Sequence, residues 1–232
     1  MEAIEENQRR IAAAIGVDPS DFTYTHQTHT TNVAVVEEKD RGGRFLDTDG
    51  MVTNVPGICL VTFYADCVPL FFVDSVHRAI GLSHSGWRGT VGRMGQATLK
   101  LMEKQYGTDP EQVVAAIGPS ICQDCYEVSE DVALAFAENF VRDDAKAVEY
   151  LGRYQRDYTQ TDIENCLMYR KENGKYQLNL WYANFRVFRD AGVPDQNIEV
   201  TDVCTCCNPS LLFSHRASGG KRGNLGAFMM LK

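Results

Sequence analysis

The sequence has no run of 18 apolar residues, so it predicts no membrane-spanning helix. Its first ten residues are polar and acidic, unlike a secretion signal. Basic residues are also in the minority: 23 Lys and Arg stand against 31 Asp and Glu, which gives a net charge of −8. A general nucleic-acid binder needs a basic face, so that class is disfavoured, although a local basic pocket for an anion is still compatible. We expect a cytoplasmic protein that binds neither membranes nor nucleic acid.

A disulfide framework is disfavoured as well. Eight cysteines in a chain without a secretion signal are typical of thiols or metal ligands in a reducing compartment. The 232 residues, of which 44% are hydrophobic, are enough for one domain with a substantial core. We therefore predict a single domain over residues 1–232 and leave a homodimer open.

Hydrophobic periodicity and turn signals indicate a mixture of helices and short strands. The predicted helices are 2–15, 90–106, 130–140 with Ser129 as N-cap, and 178–191. The predicted strands are two pieces within 22–36, then 58–64, 70–73, 79–82, 113–117, 198–203 and 225–231. Residues 39–50 are predicted to form a loop, and residues 141–176 an irregular surface segment. Adjacent strands with interspersed helices favour an α+β fold over regular βαβ winding.

Three residues with metal-ligating or nucleophilic side chains lie at the ends of apolar runs. These are His29, Cys67 and His84. The ends of strands are positions at which rigid scaffolds commonly hold functional side chains. Two imidazoles and one thiolate suit catalytic Zn²⁺ with an open fourth position, and the same set suits copper. Without a metal, Cys67 is a candidate nucleophile with His84 as its base. Asp66 directly precedes Cys67, and we predict that it orients the site or handles protons.

A glycine-rich turn follows His84 and is predicted to begin a helix. Free N–H groups at a helix start and the guanidinium of Arg88 suit a phosphate or carboxylate. We predict that Arg88, with Gly86 in the same turn and Gln27 beside His29, contacts substrate or phosphate.

Five further cysteines form two local clusters. Cys122 and Cys125 have the C-x-x-C spacing of zinc sites, but Cys204-Thr205-Cys206-Cys207 is not the usual second half of such a site. The pattern therefore favours free thiols near the core over a structural zinc. His26 and His77 are interpreted as surface or structural residues.

Several motifs, in order along the chain, resemble those of one known family. They are Gln27-Thr28-His29, Asp49-Gly50-Met51-Val52-Thr53-Asn54, Ala65-Asp66-Cys67-Val68-Pro69, His84-Ser85-Gly86-Trp87-Arg88-Gly89, Gly118-Pro119-Ser120-Ile121 with Tyr126-Glu127-Val128, and Cys204-Thr205 with Ser214-His215-Arg216. The family was once described as laccase-like multicopper polyphenol oxidases. Its members are now described as purine nucleoside phosphorylases and adenosine deaminases, and some as peptidoglycan-editing factors.

The resemblance implies a four-layer αββα fold of mixed sheets, like the bacterial toxin and cysteine-hydrolase type. It implies zinc on His29, Cys67 and His84, with a purine nucleoside and phosphate as substrates. Members usually begin with a further N-terminal segment, which we expect to be absent here. Ala217 and Asn224 stand where members usually carry arginine, so the C-terminal arginine pattern of the family is incomplete.

Three alternatives to a phosphorylase and adenosine deaminase are left open. One is an amide hydrolase that edits peptidoglycan precursors, and another is a non-enzymatic binding module that contains zinc. The third is a polyphenol oxidase with a single copper, because five histidines are too few for both the trinuclear cluster and the blue site of a multicopper oxidase.

Overall fold

Five helices and thirteen strands lie in the part of the chain that the computed structural model describes, residues 2–140 and 167–232. The helices are α1 (Glu2–Ile15), α2 (Trp87–Val91), α3 (Met94–Tyr106), α4 (Glu130–Phe140) and α5 (Leu180–Asp190). The strands are β1 (Phe22–Thr25), β2 (Val33–Val35), β3 (Arg44–Phe45), β4 (Gly50–Thr53), β5 (Cys59–Tyr64), β6 (Val68–Asp74), β7 (Ala79–Ser85), β8 (Val114–Ile117), β9 (Glu127–Val128), β10 (Met168–Arg170), β11 (Tyr176–Leu178), β12 (Ile198–Val200) and β13 (Leu225–Met230).

The strands form three sheets. The largest has the order β12-β8-β6-β7-β4-β2, with parallel pairs at its two edges and antiparallel pairs between them. A four-stranded sheet, β13-β5-β1-β3, joins one antiparallel pair to two parallel pairs. The order β10-β11-β9 forms a small antiparallel sheet. A mixed α/β architecture with several mixed sheets is therefore present.

Alternating side chains connect the layers. Along β5, Leu60 belongs to a buried cluster shared with Leu82 of β7, whereas Val61 belongs to a second cluster with Ala12 of α1. Along β6, Phe72 packs against Phe188 of α5, with ring centroids 4.9 Å apart. The six-stranded sheet thus meets the four-stranded sheet on one face and helices on the other, since strand side chains alternate between faces. The strict four-layer αββα arrangement and the single-domain boundaries stay predictions.

Most predicted elements are confirmed, with four corrections. The predicted loop at 39–50 contains β3 and the start of β4. Leu178 belongs to β11, and α5 begins after Asn179, whose side chain accepts a hydrogen bond from the N–H of Tyr182. Of the irregular segment predicted at 141–176, residues 141–166 lie outside the described residues. In the remainder, β10 and the first residue of β11, Tyr176, replace the irregular structure.

The fourth correction concerns the helix predicted at 90–106, which is broken into α2 and α3. Arg93 adopts a left-handed conformation (φ 63°) between them, and its guanidinium binds the carboxylate of Asp190 at 2.6 Å. Gly92 passes so close to Thr31 that a Cβ would lie 2.8 Å from its methyl group. The spacing of hydrophobic residues along the helix does not reveal either constraint, because the two partners, Asp190 and Thr31, are distant in sequence. None of the helices in residues 2–140 and 167–232 has the length and apolar character needed to cross a membrane.

Candidate metal centre and active site

Three elements bring His29, Cys67 and His84 together. His29 lies between β1 and β2, Cys67 in the turn between β5 and β6, and His84 within β7. One donor atom from each lies within 4.8 Å of the other two, and Cys67 Sγ is 3.9 Å from His29 Nε2. The antiparallel pairing of β6 with β7 sets this geometry, because it places Pro69 opposite His84 and so brings the start of β6 to the ligand on β7.

Two of the backbone turns at this site are left-handed. His29 has φ 63° and Asp66 has φ 82°, a region that non-glycine residues seldom adopt and that persists where surrounding contacts hold it. For the His29 turn the holding group is the buried carboxylate of Asp49. It accepts hydrogen bonds from the backbone N–H groups of Thr28, His29 and Thr30 at 3.1, 3.0 and 2.8 Å.

The same carboxylate orients the second imidazole. Asp49 Oδ1 is 2.9 Å from His84 Nδ1, so that Nδ1–H donates to the carboxylate and Nε2 is the atom that could bind a metal. Burial disfavours the charge on Asp49, but the hydrogen bonds from His84, Thr30 and Thr28 outweigh it and lower its pKa to about 2. From the sequence, Asp49 was placed in a predicted loop and in a family motif without being given a role, and that role is visible only once β4 and β7 are paired.

The thiol of Cys67 is poised to ionise. Burial raises its pKa, but hydrogen bonds from His29 and His84 and the charges of both rings outweigh that effect and lower the pKa to about 6. The thiolate is the form that binds metal. Burial likewise opposes charge on His84, yet Asp49 and Cys67 raise its pKa to about 9. A metal ion at this site therefore competes with a proton for His84.

Gly86 leaves room for the ligands. A Cβ at this buried position would lie 3.0 Å from His29 Cδ2 and 3.1 Å from Cys67 Sγ, closer than nearly all real contacts. Its φ of −77° suits any residue, so the requirement is for space rather than for backbone freedom. Gly86 was predicted to contact substrate or phosphate, and the structure places it directly behind His29 and Cys67.

A cavity of about 320 Å³ opens beside the three ligands. This volume is in the range of small-molecule sites. The residues that line it are Thr25, His26, Gln27, His29, Arg44, Phe63, Tyr64, Ala65, Cys67, His84, Arg222 and Asn224. Arg44 and Arg222 carry no motif in the sequence that marks them as site residues, and Asn224 was noted only as a position where family members usually carry arginine. His26, interpreted as a surface or structural residue, also faces this cavity, whereas His77 binds Asp74 away from it.

The remaining predicted site residues have other partners. The amide of Gln27 lines the cavity but pairs with the backbone of Phe63, donating at 2.7 Å and accepting at 2.8 Å. The exposed guanidinium of Arg88 stacks 4.3 Å from the ring of Trp87, and Arg88 is not among the residues that line the cavity.

Asp66 is turned towards the chain beyond β12. Its carboxylate accepts from the hydroxyl of Thr205 at 2.6 Å and from the backbone N–H of Arg216 at 2.7 Å. Asp66 is likewise not one of the cavity-lining residues.

The donor set of His29, Cys67 and His84 fits a zinc ion. Zn–S and Zn–N bonds in a tetrahedral site put sulfur and nitrogen about 3.6 Å apart, close to the 3.9 Å between Cys67 Sγ and His29 Nε2. Three protein ligands beside a cavity leave a position for a fourth, as catalytic zinc requires. One thiolate with two imidazoles also suits copper, so the donors indicate a metal site without fixing the metal.

Comparison with known proteins identifies the family. Residues 1–232 match the model of a family described as "multi-copper polyphenol oxidoreductase laccase". The chain belongs to this family. The chain is 33% identical over 236 residues to "Purine nucleoside phosphorylase YlmD" of Bacillus subtilis. This alignment covers 99% of the chain and 77% of the relative. It is 34% identical over 220 residues to "Adenosine deaminase RL5" of an unknown prokaryote, with coverage of 92% and 76%.

Two solved structures have a similar fold. YfiH of Bacillus licheniformis superposes with a TM-score of 0.83 at 30% identity, over 98% of this chain and 80% of that one. YlmD of Geobacillus stearothermophilus gives 0.81 at 29%, over 97% and 79%. The relatives carry the names of enzymes, which agrees with a ligand set that faces a cavity.

Proposed function

We propose that this chain is a zinc-dependent purine nucleoside phosphorylase that also deaminates adenosine. Its substrates would be adenosine, inosine or methylthioadenosine. Phosphate would displace the base and leave ribose 1-phosphate, or 5-methylthioribose 1-phosphate in the case of methylthioadenosine. The observation that carries the proposal is the convergence of His29, Cys67 and His84 on the wall of a cavity rather than in a closed core. The names of the relatives supply the substrate class.

His29, Cys67 and His84 would hold the zinc ion. A zinc ion supplies a Lewis acid and lowers the pKa of a bound water, which is the chemistry that deamination of a purine needs. Asp49 fixes which nitrogen of His84 faces the ion. Cys67 contributes negative charge as a thiolate, and Gly86 leaves the space in which the ligands approach each other.

The cavity offers separate surfaces for the base and the phosphate. Phe63 lines it, exposes 37% of its surface and stacks on Tyr24 with the rings nearly parallel, so it offers a fixed aromatic face to a purine. Arg44 and Arg222 line the same cavity and supply positive charge. Arg88 is a third candidate for phosphate, because it lies two residues beyond Gly86. We retain it as a proposal that competes with Arg44.

Product analysis with adenosine tests the function. The zinc-loaded protein is incubated with adenosine in the presence and absence of phosphate. Free adenine that requires phosphate is expected for phosphorolysis, and inosine formed without phosphate is expected for deamination. Turnover of neither kind, in protein that retains its zinc, would contradict the proposal and favour the binding module. Release of an amino acid from a peptidoglycan precursor would instead favour the amide hydrolase, and oxidation of a phenol by copper-loaded protein the oxidase.

A further inference from the structure

A second group of metal-ligating side chains lies outside the cavity. Cys122 and Cys125 precede β9, and Cys204 and Cys207 follow β12, yet one sulfur from each lies within 4.8 Å of the other three. Cys207 Sγ is 3.9 Å from Cys122 Sγ and 3.4 Å from Cys125 Sγ. We propose that these four cysteines bind a structural zinc ion that joins the two segments.

The sulfur spacing fits one ion coordinated by four thiolates. Zn–S bonds of about 2.3 Å in a tetrahedron place sulfurs about 3.8 Å apart, which the observed 3.4 and 3.9 Å bracket. A disulfide needs sulfurs about 2.05 Å apart, and it would leave two of the four thiols unused. An iron–sulfur cluster carries its thiolates on different irons, which needs wider spacing than this. The geometry therefore favours a single ion.

The backbone around Cys204 supports a thiolate. Cys204 is buried, with 6% of its surface exposed, and its sulfur accepts hydrogen bonds from the N–H groups of Cys122 at 3.2 Å and Cys207 at 3.4 Å. Hydrogen bonds to a charged form favour that form, and a buried charge needs a partner of opposite sign. The nearby guanidinium of Arg216 binds the carbonyl oxygens of Cys125 and Glu127, and a bound cation would supply the missing charge.

The structure also resolves the irregular spacing in the sequence. Cys204 and Cys207 form a C-x-x-C pair like Cys122 and Cys125, and Cys206 is an additional cysteine between them that does not belong to the group. Two C-x-x-C pairs brought together are typical of structural zinc sites without an open position.

The site would stabilise the chain next to the cavity. Thr205, between two of the cysteines, donates from its hydroxyl to Asp66, the residue before Cys67. A parallel bridge between Ser120 and Cys204, with backbone hydrogen bonds of 3.1 Å on either side, aligns the two segments. Zinc at the four cysteines would therefore fix the segment that carries Thr205, whose hydroxyl binds Asp66, without touching a substrate.

Metal content and X-ray absorption of the intact protein test the proposal. Elemental analysis should find two zinc ions per chain, with five sulfur and two nitrogen ligands between them. In Cys67→Ala the content should fall to one, and the absorption of the remaining zinc should fit four sulfurs at about 2.3 Å. This reading depends neither on the activity nor on the metal at the other site, so a failure here is distinguishable from a failure of the proposed function.

Cys207→Ser and its matched control Cys206→Ser locate the ligands. We expect Cys207→Ser to lose one zinc while Cys206→Ser retains both, although the two residues are neighbours. If Cys207→Ser does not fold, the absorption spectrum of Cys67→Ala still decides the question. Iron in place of zinc, a disulfide between Cys125 and Cys207 in freshly purified protein, fewer than four sulfurs around the remaining zinc in Cys67→Ala, or equal zinc loss in the Cys206 variant would each overturn the proposal.

Discussion

The two clusters of metal-ligating side chains differ in number, donor type and surroundings. His29, Cys67 and His84 combine nitrogen with sulfur and line a cavity, and His29 is exposed. The four-cysteine group offers four sulfurs, and none of them is among the residues that line the cavity. A set of three beside a cavity leaves a position for water or substrate, whereas a set of four completes a tetrahedron. If both clusters bind metal as proposed, access and ligand number, rather than the presence of cysteine, separate the open site from the structural one.

Replacing one ligand in each cluster is expected to give the largest and most divergent effects. Cys67→Ala should lower turnover of adenosine more than about 100-fold, because even residues that only orient a ligand are worth 10–100-fold. Its melting temperature should change little. Cys204→Ser should lower the melting temperature more than Cys67→Ala does, since it removes a ligand from a closed site. Thermal unfolding and initial rates check both, and a reversed order of melting temperatures would break the comparison.

Asp49→Asn sharpens the comparison at the open site. The variant loses charge at a buried group that binds three backbone N–H groups and His84, so we expect stability to fall by about 2–3 kcal/mol. Zinc affinity at His84 should fall about 10–100-fold. Denaturant unfolding and metal titration measure the two quantities.

Asp74→Asn is the matched control for Asp49→Asn. Asp74 is also buried, accepts from backbone N–H groups at 2.9 and 3.0 Å, and binds an imidazole, that of His77, at 2.8 Å. His77 belongs to neither ligand cluster, so this variant should lose stability and keep its zinc. Equal zinc loss in the two variants would show that the effect of Asp49 is general unfolding rather than ligand orientation.

Gly86→Ala is expected to act on the open site alone. Its new methyl group would press on His29 and Cys67 from 3.0 and 3.1 Å, so one ligand must shift by a few tenths of an ångström. We expect zinc affinity there to fall about 10-fold, at the lower end of the effects seen when a ligand's supports are changed. Gly89→Ala is the control, because its nearest neighbour would be an ordinary 3.5 Å away. Competitive zinc titration of both variants measures the difference.

The smallest expected effect concerns phosphate. Arg88→Lys should raise the KM for phosphate several-fold and leave zinc content unchanged, because lysine keeps the charge but loses the planar fork. Deamination, which uses no phosphate, should suffer less. Arg44→Lys is the comparison variant, since Arg44 lines the cavity and Arg88 does not. If the KM for phosphate rises only in the Arg44 variant, the phosphate site is assigned to Arg44 instead of Arg88.

The sequence predicts the ligand set better than it predicts what supports it. His29, Cys67 and His84 are recognisable because their residue types are rare and follow apolar runs. Asp49 is hidden, because Asp-Thr-Asp-Gly is typical of a turn and its partner His84 lies 35 residues away. The strand β4 is hidden for a related reason. Gly50 begins it and has no side chain to show alternation, and a Cβ there would meet Ser83 at 2.4 Å.

The cysteine clusters illustrate the same limit. The pair Cys122 and Cys125 is visible from its spacing, but Cys206 obscures the second pair, and spacing alone favoured free thiols. The approach of the two segments depends on β12 lying beside β8, a parallel pairing that brings residues more than eighty positions apart together. Such pairings depend on the whole fold, so local patterns do not report them.

The position of β13 in the chain has a consequence for biosynthesis. β13 pairs with β5 from Leu225 opposite Tyr64 to Met230 opposite Cys59, and Arg222 and Asn224, just before it, line the cavity. All seven residues of the two metal-ligating clusters precede these positions. Because the ribosome delivers the N-terminal part first, a nascent chain has both candidate metal-binding clusters before it can complete the wall of the cavity. On the proposed function, the growing chain would therefore be able to bind metal during translation before it can bind a substrate.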